Sequence, residues 1–155
     1  MTATVYARPR PRASALFDRA IGALERIPIS LLLLLARISV GAVFWHSGLV
    51  KIASWQSTLA LFRDEYRVPV VPYDIAAYMA ATTELTFPIL LFAGLASRLA
   101  TLPLLGMTAV IGIFVYPEDW VEHLTWATML LLILTRGPGA ISLDRFVRTR
   151  FLPAA

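Results

Sequence analysis

The sequence predicts an all-α integral membrane protein, a four-helix bundle with short interfacial helices. Three observations predict it. Of 155 residues, 58% are hydrophobic and only 15% charged, with mean hydropathy +0.70; soluble domains carry about a quarter of charged residues. Apolar runs of about 20 residues, enough to cross a bilayer as a helix, recur along the chain, most plainly from Ile27 to Lys51. The basic residues are spread unevenly over the segments that join those runs. The absence of cysteine excludes disulfides, thiolate metal sites and thiol catalysis.

Residues 1–13 are proline-broken and basic, with Arg8, Arg10 and Arg12, and are expected to form a disordered tail. Over 14–27, Leu16, Phe17, Ala20, Ile21, Leu24 and Ile27 recur at helical spacing opposite Asp18, Arg19, Glu25 and Arg26. Ser14 suits an N-cap, so this segment predicts an interfacial amphipathic helix. Residues 28–136 form the membrane domain. Pro28 suits the first turn of the first span, which lacks a cleavage pattern and is expected to stay in the protein. Trp55, Leu59, Phe62 and Tyr66 then make an aromatic stripe opposite Arg63, Asp64 and Arg67, the pattern of a helix lying on the membrane surface. Pro69 and Pro72 force an extended turn.

The second span runs from about Asp74, a candidate N-cap, to Leu95, with a stop at Gly94. Pro88 frees a backbone carbonyl next to Glu84 at its centre. The third, about Leu99 to Tyr116, is charge-free, with Gly106 and Gly112 as places for close helix approach. The fourth opens at Pro117, with Glu118, Asp119 and Glu122 where the helix dipole favours negative charge, and runs to Arg136. Gly137-Pro138-Gly139 ends it, and residues 137–155 form a basic cytoplasmic tail.

Arginines crowd the N-terminal segment, the Arg98 loop and the C-terminal segment, whereas Lys51, Arg63 and Arg67 are balanced by nearby acids. Both termini are therefore expected on the cytoplasmic side of a multi-pass protein. This accounts for the net charge of +4 and the pI near 10.0 and discards nucleic acid as a partner. Charges at membrane depth face the protein interior and need partners. Arg37 and Glu84, each about ten residues into antiparallel spans, are expected to meet near the midplane as a buried polar site, with Lys51 on the same face as Arg37. Gly41 and Gly48 share that face and permit close helix packing. The pair reads either as an ion pair that fixes helix register or as a site for a proton or a quinone head group. His46, His123 and Met79 share a level and are the side chains that a haem or copper ion would use, but histidines beside Trp45 and Trp126 suit the interfacial belt, so no metal is expected.

Arg37-x3-Gly41-x2-Phe44-x3-Gly48-x2-Lys51, the buried Glu84 followed by Gly94 and Arg98, and the closing run Gly137-Pro138-Gly139-Ala140-Ile141-Ser142-Leu143-Asp144 resemble the DoxX family over about residues 30 to 145. The closing motif comprises Gly137, Gly139, Ser142 and Asp144. The resemblance implies a small four-helix protein of the bacterial inner membrane associated with redox processes, including a relative in thiosulfate:quinone oxidoreductase. Phe114-Val115-Tyr116-Pro117 and Trp120-x2-His123-x2-Trp126 resemble one proteobacterial branch, which implies a link to metal or stress response. The expected function is thus a redox-associated membrane subunit whose Arg/Glu site takes a quinone or relays protons. A non-enzymatic anchor or accessory subunit that recruits a partner is the alternative and a small transporter a further one, and the expected partners are the lipid bilayer and a second protein or another copy of the chain.

Overall fold

The structure, a computed structural model, describes residues 12–151; the expected tail up to residue 11 and residues 152–155 lie outside the described residues. Helix α1 spans Arg12–Glu25, so it begins before the expected cap at Ser14, and it leaves Phe17 and Leu24 exposed. Helix α2, Ile29–Ala53, follows directly on Pro28. Helix α3, Trp55–Leu61, runs on into a π-helical turn over Phe62–Tyr66 that Arg67 ends with a φ of 42°. Helix α4, Tyr73–Ala93, starts one residue before Asp74, which therefore sits in the first turn, facing the helix dipole, instead of capping it. Gly94, at φ 68°, closes α4 in the left-handed conformation that glycine adopts without steric cost.

Helix α5, Ser97–Val110, also ends in a π-helical turn, Ile111–Val115. A short 3₁₀ turn over Pro117–Asp119 leads into α6, Trp120–Arg136, and α7 covers Leu143–Phe151. Among the described residues three helical runs are long and apolar enough to cross a membrane: Ile29–Ala53, Tyr73–Ala93 and Ser97–Val115. Helix α6, the fourth member of the bundle, is shorter at 17 residues, close to the lower limit for a span.

Helix α2 packs on α4, α4 on α5, α5 on α6, and α6 back on α2, closing an up-down-up-down ring. Its centre is apolar: Val40, Phe44, Leu91, Leu104, Leu130 and Ile133 are fully buried. The outside is equally apolar, with Leu31, Leu32, Leu35 and Ile38 exposed on successive turns of α2. In water such a surface would aggregate, and only a hydrocarbon solvent suits it. Between apolar helices in lipid there is little hydrophobic driving force, so close contact of small residues must hold the ring together. Gly41 and Gly48 supply it on α2. A Cβ at Gly41 would lie 2.6 Å from the Phe92 ring, and one at Gly48 would lie 2.9 Å from Leu85 and 3.0 Å from Cβ of Glu84.

Those contacts fix the register of α2 against α4 and correct the expected pairing. Gly48, not Arg37, stands level with Glu84, so at 1.5 Å per residue the arginine is about 16 Å away along α2. Equal depth from the ends of both spans would have brought the two charges together. In the fold, α2 extends about three turns past the end of α4, and the segment after α6 packs on that extension: Gly139 lies close to Ser30 and Leu33. The stripe on α3 differs as well. Phe62 is buried, and Trp55, Leu59 and Tyr66 pack with it against Ala76, Ala77 and Ala80 at the start of α4, so the stripe covers protein.

Candidate functional site

The polar residues of the interior divide between the two ends of the bundle. The terminal end is where α2 and α5 begin and α4 and α6 finish; the distal end carries α3, both π-helical turns and Pro117–Asp119.

At the terminal end Arg37 is buried, and its Nη1 donates to the Leu91 carbonyl at 3.3 Å while Nη2 donates to the Ile141 carbonyl. Both acceptors are backbone. Gly94 leaves room for the guanidinium, since a Cβ there would overlap Nη1. The backbone N–H of Asp144 donates to the Gly94 carbonyl at 2.9 Å. Its carboxylate accepts from the N–H groups of Ala96 at 2.7 Å and Ser97 at 3.1 Å, the open donors at the start of α5. Ser142 Oγ donates to the Gly139 carbonyl at 2.7 Å, and Ser30 Oγ accepts from the N–H of Ala140 at 2.9 Å. Gly137 and Gly139, with φ of 82° and 84°, turn the chain back so that these bonds form. The closing motif and Arg37 thus tie the ends of α2, α4 and α5 together without using Glu84.

At the distal end the arrangement is different. Glu84, 2% exposed, meets Lys51, 14% exposed, with Nζ 2.8 Å from each carboxylate oxygen. Only the contact to Oε1 has hydrogen-bond geometry, which leaves Oε2 without a donor despite the ion pair. Ser47, one turn before Lys51 on α2, donates to Oε1 at 3.1 Å and accepts from Nζ at 2.9 Å. Pro88, buried on α4, lacks the N–H that would bond the Glu84 carbonyl, so the backbone is irregular at the acid itself.

Ser47, Lys51 and Glu84 open on a cavity of about 270 Å³. Phe62 and Tyr66 from one π-helical turn and Ile111 and Val115 from the other form its sides, and His123 and Trp126 come from α6. Asp119, Glu122 and Tyr116 stand at its distal rim. Tyr116 donates to Glu65 at 2.6 Å, tying the two π-helical turns together, and that hydrogen bond pushes its phenol well above the ordinary tyrosine range. His123 is buried, stacked edge-on to Trp126 at 5.2 Å, with Gly112 opposite its ring, and its Nδ1 has no hydrogen-bond partner. Nδ1 of His123, which has no hydrogen-bond partner, and Oε2 of Glu84, which is held by its ion pair with Lys51 alone, therefore belong to residues lining one cavity. Such atoms are costly unless something in the cavity completes them. A π-helical insertion is a common mark of a functional site; here two of them flank the same space.

The three side chains that a haem or copper ion would have used do not come together. His46 and Met79 are exposed on the outer faces of α2 and α4, whereas His123 is buried against Trp126. Among the described residues no cluster of three His, Asp or Glu could hold a metal ion. Sequence reasoning selected Glu84 and Lys51 but missed Ser47 and the cavity role of His123. The Ser47-x3-Lys51 spacing was the available sign, because it puts hydroxyl and ammonium on adjacent turns of one face.

Comparison with known proteins places the chain in context. A profile of the DoxX family matches residues 32–117, which takes in both the Lys51–Glu84 pair and the two π-helical turns. An uncharacterized protein of Haemophilus influenzae is 30% identical over 128 residues, spanning 75% of this chain and 83% of that one. No solved structure matches.

Proposed function

The chain belongs to the DoxX family, and from that premise we propose that it is a redox-associated membrane subunit whose distal cavity takes a quinone head group. The observation that carries the reading is the buried Nδ1 of His123, without a hydrogen-bond partner, in one cavity lining with a Glu84 Oε2 that its ion pair alone holds. A quinone supplies two carbonyl oxygens and, on two-electron reduction, takes up two protons. Residues of the cavity match both needs. Lys51 Nζ and Ser47 Oγ are donors on one wall, and the His123 ring is a donor or acceptor on the other. Trp126 and Phe62 offer flat apolar surface to a ring. Glu84 holds a proton site next to Lys51, and the acidic rim of Asp119 and Glu122 leads from it toward the distal surface. A bulky ring is kept from the terminal end by the apolar layer of Val40, Phe44 and Leu91.

Four spans in a bacterial inner membrane, with both termini cytoplasmic, complete the proposal. The described arginines support it: Arg26, Arg98, Arg136, Arg145, Arg148 and Arg150 lie toward the terminal end, whereas Arg63 and Arg67 at the distal end have Asp64 and Glu65 beside them. The test of the quinone site is a titration of the purified full chain in detergent with a short-chain ubiquinone, read by tryptophan fluorescence. Saturable quenching is expected, weakened in Lys51→Met and largely lost in Trp126→Phe, while Trp45→Phe keeps it. Quenching that is unsaturable, or unchanged in Lys51→Met, would refute the site and leave the anchor reading, in which the bundle only recruits a partner.

A further inference from the structure

At the terminal end a broad cleft of about 1240 Å³ lies open between the start of α2, the start of α5, the turn after α6 and α7. Four arginines line it: Arg98 from α5, Arg136 from the end of α6, and Arg145 and Arg148 from α7. The acidic residue in the lining, Asp144, has both carboxylate oxygens occupied by the N–H groups of Ala96 and Ser97. None of the four guanidinium groups has an acidic partner among the described residues. Gly137 explains how one of them is aimed. Its missing Cβ would lie 3.3 Å from Nε and 3.4 Å from Nη2 of Arg98, so the guanidinium lies across the turn that lines the cleft.

A biased charge distribution alone would need only arginines somewhere on this side of the membrane. Convergence from three separate elements on one concavity asks for more, because like charges held together repel unless an anion joins them. The surroundings select the kind of anion. The cleft sits at the ends of the spans, at the depth of head groups. Exposed Ile29 and Leu99 form apolar walls just inside it, and Phe146, Val147 and Phe151 on α7 are exposed beside it. Helix α7 is short, strongly amphipathic and basic on its polar side, which suits a helix lying in the interface plane.

We propose that this cleft binds the phosphate of an anionic phospholipid, with the four arginines on the head group and the apolar walls along the acyl chains. Basic pockets between membrane helices bind anionic head groups in this way, and guanidinium forks match phosphate oxygens bidentately. The proposal is independent of the distal cavity and of any redox role.

Native mass spectrometry of the full chain, released from detergent with dioleoyl phosphatidylglycerol or dioleoyl phosphatidylcholine at equal concentration, tests it. Preferential retention of phosphatidylglycerol is expected. Arg145→Gln and Arg148→Gln, on an exposed helix where neither side chain makes a hydrogen bond, should each lower that retention about fivefold, the worth of one basic residue near an anionic surface. Arg63→Gln, at the other end, should leave it unchanged. Equal retention of the two lipids, or no loss in the α7 variants, would overturn the proposal. A third arm adds inorganic phosphate at millimolar concentration. Continued lipid retention supports a lipid site, whereas complete displacement would show a site for soluble phosphate and overturn the lipid assignment.

Discussion

Removing both members of the Lys51–Glu84 pair should destabilise the protein by much less than the two single losses added together. Lys51→Met leaves a carboxylate that is only 2% exposed with Ser47 as its one remaining donor. Breaking a buried pair in this way costs about 3 to 5 kcal/mol, and the lower figure applies because Lys51 itself keeps 14% of its surface exposed. Glu84→Gln is milder. The amide still accepts from Ser47, and the ammonium retains Ser47 Oγ at 2.9 Å, so about 2 kcal/mol, a charge-assisted hydrogen bond, is lost. The double variant has no orphaned charge and should come within about 2 kcal/mol of the parent, which is a coupling near the upper end of the usual range for touching residues.

The assay is reversible unfolding in mixed micelles, followed by tryptophan fluorescence, for each corner of the cycle. A second cycle on Arg37→Met and Glu84→Gln serves as the control. These residues stand about 16 Å apart along α2, beyond the distance at which mutations couple, so their effects should add to within about 0.5 kcal/mol. Strong coupling in the second cycle together with none in the first would refute the register drawn from Gly41 and Gly48.

Gly94→Ala should cost about 3 kcal/mol, since alanine resists a φ of 68° and its Cβ would displace the Arg37 guanidinium; the unfolding midpoint measures it. Asp144→Ala should cost about 1 to 2 kcal/mol through loss of the two bonds at the start of α5, and backbone hydrogen exchange at Ser97 should rise. On alkaline titration followed by phenolate absorbance, Tyr116 should ionise well above the ordinary tyrosine range. Its folded value is raised, so the contribution of its bond to Glu65 is fully present below the usual phenol value of about 10 and is lost only as pH climbs past the folded one. Cysteines placed at Ser57 and Asp119 should react with an impermeant thiol reagent from outside the inner membrane, and one at Thr149 should not; the reverse pattern would invert the proposed orientation.

The helices were legible because length and composition decide them: about 20 apolar residues leave the backbone few alternatives in a membrane. Glycine stops at Gly94 and Gly137 set two of the ends, and both adopt positive φ. The partners of the buried charges were not legible. Pairing Arg37 with Glu84 needed the depth of α2 relative to α4, and that depth is set by tertiary contacts at Gly41 and Gly48 and by the closing motif, which lies far away in sequence. A slip of a few turns leaves every helical wheel intact while exchanging each charge's neighbour. The π-helical turns escaped for a related reason, since one extra residue per turn leaves no compositional trace in Phe62–Tyr66 or Ile111–Val115.

The division between the two ends has a consequence for motion. At the terminal end Nη1 and Nη2 of Arg37, Oγ of Ser142 and the carboxylate of Asp144 bond to backbone groups, and Gly94, Gly137 and Gly139 take up positive φ beside the left-handed Ala96, so this end has few ways to rearrange without losing several bonds together. At the distal end the backbone is irregular in three elements: two π-helical turns and the carbonyl freed by Pro88. The hydrogen-bonded cross-link there is the exposed Tyr116–Glu65 bond, beside an edge contact of the Tyr116 ring on Tyr66. Regions with few buried contacts and strained hydrogen bonding open most easily. Entry to the cavity should therefore occur by displacement of the π-helical turn at the end of α3, hinged at Arg67, while α2 and α4 stay fixed at Gly41 and Gly48. Tyr116→Phe removes the cross-link without touching the Lys51–Glu84 pair, so it should raise hydrogen exchange in Phe62–Tyr66 and speed quinone binding at nearly unchanged stability. Equal exchange and an equal on-rate in that variant would mean that the way in lies elsewhere.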